Sequence, residues 1–173
     1  MLAYLSGAIE YAPDLGKSWR AQITPFLQAL GHEVYDPAQD EKKNLSDEEV
    51  REFRKWKGSD LGRFQGTIRK IIAWDLDWIE KKSDYVVCYW DEAAGRGAGT
   101  QGELTLAHRA GVPVYLVLGM PVENSRPCLH TRLSAQMPPT PVLFIAYGPS
   151  LQNRALAGKE SRPDQLYFHL PFR

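Results

Sequence analysis

The chain has 173 residues, of which 43% are hydrophobic and 24% charged, and this is the size and composition of one globular domain. Lysine plus arginine and aspartate plus glutamate both number 21, so the formal net charge is zero. The lack of a basic excess argues against binding to nucleic-acid polymers. No apolar run reaches the length of a membrane span, and no leader-like segment precedes the first strand-like run, so we expect a cytoplasmic protein without a membrane partner.

Strand-like and helix-like segments alternate along the chain. We predict strands at residues 2–6, 32–35, 85–90, 112–118 and 142–146. Helices are predicted at 15–30 and 67–82, and over a stretch about one turn longer than 104–110 that Gly111 ends. The first has an apolar stripe of Trp19, Ile23, Phe26, Leu27 and Leu30. This order predicts an α/β three-layer sandwich with a five-stranded, mainly parallel sheet.

Residues 1–148 are predicted to form one domain, with an insert at about 40–66 and a C-terminal tail at 149–173. Within the insert, Ser46 and Glu49 have the spacing of a capping box that opens a short helix. Lys42, Lys43 and the charged residues 51–57 are expected to form a solvated face. The tail is expected to be irregular or to dock on a neighbouring subunit.

Cysteine and histidine usage gives no sign of a metal site. Cys88 lies inside an apolar strand and is predicted to be a core residue. Neither of the two cysteines belongs to a C-x-x-C pair, and the four histidines are scattered. We therefore expect no bound metal.

A glycine-rich stretch, Gly95–Glu103, follows the third predicted strand. In parallel α/β sheets ligands bind at the carboxyl ends of the strands, where this stretch is expected to lie. Thr100 and Glu103 fit a capping box, so Glu103 is either a helix cap or a reagent. Gly102 in the first turn costs about 1 kcal/mol relative to alanine, and this cost makes sense if a ligand approaches the backbone.

Asp75 falls on an apolar helical stripe, while Asp77 falls on the opposite side. The other members of the stripe are Ile68, Ile71, Ile72 and Ile79. A carboxylate there is costly unless it bonds a partner, such as a loop backbone, or serves in chemistry. Tyr4 lies in the first strand, where its hydroxyl is able to reach a carboxylate. Two carboxylates without a metal are suited to cleaving a glycosidic bond.

Over residues 2–118 the chain resembles the nucleoside 2-deoxyribosyltransferase family. The resemblance is carried by Tyr4-Leu-Ser-Gly-Ala8, by Gly31-His-Glu-Val-Tyr-Asp-Pro37, by Asp75 with Ser83-Asp-Tyr-Val-Val87, and by Gly99-Thr-x-x-Glu103 with Gly111-Val-Pro-Val114. It implies a flavodoxin-like (Rossmann-like) fold and no cofactor. It also implies a homo-oligomer with shared active sites, acting on a nucleoside or nucleotide and a free nucleobase.

The resemblance also implies roles for individual residues. Glu103 matches the nucleophile that attacks C1′, Asp75 the aspartate that exchanges protons with the base, and Tyr4 the tyrosine that hydrogen-bonds the nucleophile. The chain departs from many members in having glycine six residues before the nucleophile. The expected substrate-binding residues are Ser6, Gly7, Ala8, Trp19, Asp91, Gly97, Gly99 and Thr100.

Two other functions compete with deoxyribosyl transfer. The first is hydrolysis of nucleoside 5′-monophosphates with release of the free base, in which Arg20, Arg96, Thr100 and Ser6 would bind the phosphate. The second is a non-catalytic nucleotide-binding sensor. A pure binder has no need of a buried acid pair, which argues against the sensor.

Overall fold

The computed structural model describes residues 1–120 and the backbone of residues 144–146. The strands are β1 (Leu2–Gly7), β2 (Glu33–Tyr35), β3 (Tyr85–Trp90) and β4 (Val114–Leu118), and the segment β5 (Phe144–Ala146) pairs in parallel with β4. The helices are α1 (Lys17–Ala29), α2 (Asp47–Ser59), α3 (Leu61–Asp77), α4 (Glu92–Arg96) and α5 (Ala98–Ala110), and α3 continues into a π-helical turn, Trp78–Lys82.

The strands β1 to β4 form a parallel sheet in the order β2-β1-β3-β4. Strand β1 is central, because Tyr4 pairs with Tyr35 on one side and with Val86 on the other. The predicted α/β class is therefore confirmed for a parallel sheet of four strands flanked by helices.

Alternate residues of β1 enter two separate cores. Ala3 and Leu5 pack with Ile23 and Leu27 of α1 on one face of the sheet. Tyr4 belongs to the core on the other face, together with residues of β3, β4, α5 and the π-helical turn. A strand that is covered on both faces reads as a continuous apolar run, which is why β3 agrees with its prediction residue for residue. Cys88, in that strand, is fully buried as predicted.

Helix α1 differs from its predicted stripe at three positions. Ile23 and Leu27 are buried, but Phe26 is 39% exposed and Leu30 is 59% exposed. Arg20, which shares the i, i+3, i+7 spacing of the buried pair, is only 1% exposed. The guanidinium is accepted in the interior because it is neutralised and hydrogen-bonded there.

The guanidinium of Arg20 ties α1 to the loop that follows β1. Its Nη1 donates to the carbonyls of Ala8 and Gly16, and its Nη2 donates to the carbonyl of Gly7. Its Nε lies 3.0 Å from Asp36 Oδ1. Arg20 therefore fixes the backbone at the carboxyl end of β1.

The insert forms a helical hairpin from α2 and the start of α3. The predicted capping box is confirmed, because the Ser46 hydroxyl accepts from the Glu49 backbone and the Glu49 carboxylate accepts from the Ser46 backbone. Helix α3 begins at Leu61 rather than at residue 67, since the Asp60 side chain caps it by accepting from the Arg63 backbone. Gly58 and Gly62, two residues at which a helix is expected to break, lie within α2 and α3.

Residues 142 and 143 of the fifth predicted strand, Cys128 and the tail at 149–173 lie outside the described residues. Within the described part of the chain, no helix combines the length and the apolar character that crossing a bilayer requires.

Candidate functional site

The carboxylate of Glu103 accepts a hydrogen bond on each of its oxygens. The Tyr4 hydroxyl donates to Oε1 at 2.8 Å, and the Ser6 hydroxyl donates to Oε2 at 2.6 Å. Tyr4 and Ser6 are two residues apart on β1, so both side chains point to the face that α5 covers. The strand therefore fixes both the position and the plane of this carboxylate.

Glu103 is not the helix cap that the sequence pattern offered. Helix α5 has Gly97 as its N-cap, without a side-chain capping bond, and Glu103 lies beyond the first turn. Thr100 is inside the helix and only 5% exposed. The capping-box prediction for Thr100 and Glu103 is wrong, because the helix extends one turn further back over the glycines and Glu103 turns to β1.

The second predicted acid, Asp75, lies on α3 with its side chain 13% exposed. Both of its carboxylate oxygens accept from Lys43 Nζ, at 2.9 and 2.7 Å. Burial raises the pKa of the Asp75 carboxyl to about 6; Lys43 opposes this rise, while the charges of Glu103 and Asp40 add to it. The two predicted carboxylates therefore lie within each other's electrostatic field.

Lys43 corrects the expectation of a solvated face. Its side chain is 11% exposed, whereas that of Lys42 is 81% exposed. Sequence reasoning missed this residue because its partner is 32 positions away and on a different element. The sequence signal for such a cation is Asp75 itself, because a carboxylate on an apolar stripe is costly without a partner of opposite charge.

Tyr4 is fully buried, and its pKa lies well above the usual value because of burial and then the charges of Glu103 and Asp75. The phenol therefore keeps its proton and serves as a hydrogen-bond donor to the carboxylate. This agrees with the contact expected for Tyr4.

A third carboxylate, Asp40, joins the site to the insert. It accepts from the Tyr35 hydroxyl at 2.8 Å, from Trp74 Nε1 at 2.8 Å and from the Lys43 backbone at 3.1 Å. Burial favours a protonated Asp40, but these bonds outweigh it and hold the pKa of the carboxyl below its usual value. Asp40 was not among the predicted site residues.

The loop after β1 borders a depression, and two of its lining residues, Trp19 and Tyr89, lie on the side of the sheet that α1 covers. Trp19 stacks on Tyr89 with ring centroids 5.5 Å apart. Asp14 accepts from the Gly16 and Ser18 backbone N–H groups, so a carboxylate already occupies the N-terminus of α1. The lining residues are Ala8, Ala12, Pro13, Asp14, Gly16, Ser18, Trp19, Tyr89 and Asp91. Ala8, Trp19 and Asp91, three of the residues predicted to bind substrate, therefore line the same depression.

Other predicted ligand residues have structural duties. The guanidinium of Arg20 is committed to backbone carbonyls and Asp36, and Arg96 is exposed and lies 3.9 Å from Glu92. Gly97 and Gly99 open α5, and a Cβ added at Gly99 would meet no atom within 4 Å. Among residues 1–120 and 144–146, no group of three or more His, Cys, Asp or Glu is placed to hold a metal ion.

No protein-family model and no curated protein sequence matches the chain. One solved structure it is similar to is a 2-deoxyribosyltransferase from Bacillus psychrosaccharolyticus, at 18% identity, with a TM-score of 0.45 and 70% of this chain and 77% of that chain covered. A likeness this distant does not bear on activity.

A side chain at Gly7, the last residue of β1, is expected to destabilise the protein. Its φ is 155°, and an added Cβ would lie 2.9 Å from Trp19 Cζ2 and 3.1 Å from the Tyr89 carbonyl oxygen. We expect Gly7→Ala to lower the free energy of unfolding by about 1–3 kcal/mol through overpacking. Chemical denaturation checks this, with Gly99→Ala as the matched control that leaves stability unchanged or raises it. An equal loss in both variants would show that the contact with Trp19 is unimportant.

Proposed function

We propose that the protein cleaves the N-glycosidic bond of 2′-deoxynucleosides and transfers the deoxyribosyl group to a second base through a covalent ester on Glu103. The main support is the Glu103 carboxylate, anchored on both oxygens by Tyr4 and Ser6 beside the second acid Asp75. A pre-oriented carboxylate can attack C1′, while a buried acid with a pKa of about 6 can exchange a proton near neutral pH.

The proposed reaction has two balanced steps. A Glu103 oxygen forms a bond to C1′ as the C1′–N bond breaks, and the leaving base takes its electron pair and the proton of Asp75. The incoming base then bonds to C1′ through nitrogen and loses its N–H proton to Asp75. The C1′–O bond breaks at the same time, and Glu103 recovers its electron pair. The sugar is inverted twice and so keeps its configuration.

A 2′-deoxy sugar suits this sparse site. The transition state carries positive charge at C1′, and a neighbouring hydroxyl would withdraw electrons and oppose that charge. Without the 2′-hydroxyl, one anchored carboxylate is sufficient to stabilise the positive charge that develops at C1′. The mechanism needs no cofactor and no metal.

The depression at the loop after β1 favours an unphosphorylated nucleoside over a 5′-monophosphate as the substrate. Asp14 and Asp91 line the depression, and the Asp14 carboxylate already takes the backbone N–H groups that a phosphate would use. Hydrogen bonds from Ser18 hold the pKa of Asp14 below its usual value, so this carboxylate stays anionic. Arg20 has no free face to offer a phosphate. These charges argue against the hydrolase of nucleotides.

The proposed function also carries expectations about the sheet, the domain bounds and the oligomer. A flavodoxin-like sandwich would have the strand order 2-1-3-4-5, with β5 as its edge strand. We infer a cytoplasmic homo-oligomer that shares its active sites, in which residues 1–148 form the transferase domain and the tail 149–173 docks on a neighbour. Size-exclusion chromatography with light scattering tests the oligomer.

Product analysis tests the proposed reaction. The purified protein is incubated with deoxyinosine or with deoxyinosine 5′-monophosphate, each with and without adenine, and the products are separated by chromatography. We expect deoxyadenosine to form from deoxyinosine only when adenine is present. Release of hypoxanthine and sugar phosphate from the monophosphate, at a rate indifferent to adenine, would establish the hydrolase. Nucleotide binding without turnover of either compound would establish the sensor.

Removal of the nucleophile is expected to abolish this activity. Glu103→Gln keeps the size of the side chain but loses the nucleophilic oxygen, so kcat should fall by several orders of magnitude. Mass spectrometry of the acid-quenched wild-type enzyme should reveal the deoxyribosyl ester, which the variant lacks. Glu92→Gln, at a side chain that is 83% exposed, is the matched control and should keep full activity. Retained activity in Glu103→Gln would refute the assignment.

The rate of base release should depend on the protonation of Asp75. Only the protonated carboxyl can donate, and its pKa is raised to about 6, so kcat/KM for base release should decline as the pH rises through about 6. Asp75→Asn should remove this limb and lose most activity with the bases that most require protonation. Asp77→Asn, on the exposed side of the same helix, is the control. A limb that persists in Asp75→Asn belongs to another group.

A further inference from the structure

Lys43 is the cation that faces Asp75. Its ammonium lies within hydrogen-bond distance of both carboxylate oxygens, and both side chains are largely excluded from solvent. A carboxylate has about four lone-pair sites, so two acceptor positions stay available to a base after the ammonium has bonded. The contact therefore orients the carboxyl without closing it to a ligand.

The backbone around Lys43 is built to deliver this ammonium. Lys43 has a φ of 34° and Asn44 a φ of 60°, so two consecutive residues other than glycine adopt left-handed backbone. Such conformations are costly and persist only where other contacts impose them. Here Asp40 accepts from the Lys43 backbone, and Asp40 is itself held by Tyr35 and Trp74.

The titratable groups around Asp75 come from four elements. Glu103 on α5 and Asp40 on the insert oppose its ionisation, and the neutral phenols Tyr4 on β1 and Tyr35 on β2 lie in the same cluster. Burial acts in the same direction as the two acids, and Lys43 acts against all three. Without the ammonium, the carboxyl would retain its proton to a higher pH.

We propose that Lys43 is a positioning residue that allows Asp75 to take a proton from the incoming base as readily as it gives one to the leaving base. This inference depends on the proposed function, since it concerns the second step of that reaction. Base release needs the acid form of Asp75, and base capture needs the carboxylate form. The ammonium keeps the carboxylate form accessible, so the insert supplies the group that balances the two half-reactions.

The two half-reactions are separated by measuring base release and base capture as a function of pH. Release is followed as hypoxanthine from deoxyinosine in single turnover, and capture as deoxyadenosine formed when adenine is added. In Lys43→Met the pH midpoint of the release limb should rise by roughly one unit or more, because an opposite charge in contact has been removed. At pH 7 capture should fall about tenfold relative to release. A purely structural loss would lower both rates together.

Two matched variants and one direct titration complete the experiment. Lys43→Arg keeps the charge and should restore the balance, while Lys42→Met removes the exposed neighbouring lysine and should change nothing. Titration of the Asp75 carboxyl by 13C NMR, assigned with Asp75→Asn, should give the same upward shift in Lys43→Met. An unchanged midpoint, an unchanged ratio of capture to release, or equal effects in Lys42→Met would overturn the inference alone. A wild-type protein that does not turn over deoxyinosine would overturn the proposed function, and this inference with it.

Discussion

Two hydroxyl groups on one face of β1 fix the carboxylate of Glu103, and every other group in the site takes its significance from its position relative to that carboxylate. The strand is internal to the sheet, with Tyr4 paired to Tyr35 and Val86, and Ser6 paired to Cys88. The hydroxyl positions are therefore set by a strand that has a neighbouring strand on each side. A carboxylate held in this way has lost its rotational freedom before a substrate arrives, which would lower the entropic cost of the attack proposed for it.

Around this anchor the protein treats three carboxylates in three ways. Glu103 receives two hydroxyls, Asp40 receives a phenol, an indole and a backbone N–H, and Asp75 receives only an ammonium. The pKa of Asp40 is lowered and that of Asp75 is raised, although both belong to one cluster. Environments that push pKa values apart are how neighbouring acids acquire separate tasks. Asp75 is the member left free to change its protonation state near neutral pH.

The limits of sequence reasoning are clear when two copies of the same motif are compared. At Ser46–Glu49 the capping box forms, because the helix starts where the local pattern says it should. At Thr100–Glu103 the pattern is equally good, yet the helix starts earlier and Glu103 bonds to β1. Local spacing cannot register a contact with a strand 97 to 99 positions away. Strands that are buried on both faces, such as β3, are predictable because they are apolar at nearly every position. The burial of Lys43 was not predicted, because it depends on a contact with Asp75, 32 positions away in the sequence.

The insert contributes Asp40 and Lys43 to the cluster around Asp75, so it is part of the candidate site. Its capping box fixes the start of α2, and Glu49 in that box also pairs with Lys70 of α3 at 2.6 Å. The hairpin is thereby held against the helix that carries Asp75, and the strained backbone at Lys43 has a rigid support on its C-terminal side. On the other side, Asp40 is bonded to groups from β2 and α3. A lysine side chain has about 2 kcal/mol of rotamer entropy to lose, so a segment that only covered the surface would leave its ammonium in water. Because both ends of the segment are fixed, only this side-chain entropy is left to lose when the ammonium pairs with Asp75, and the pair is a defined component of the site.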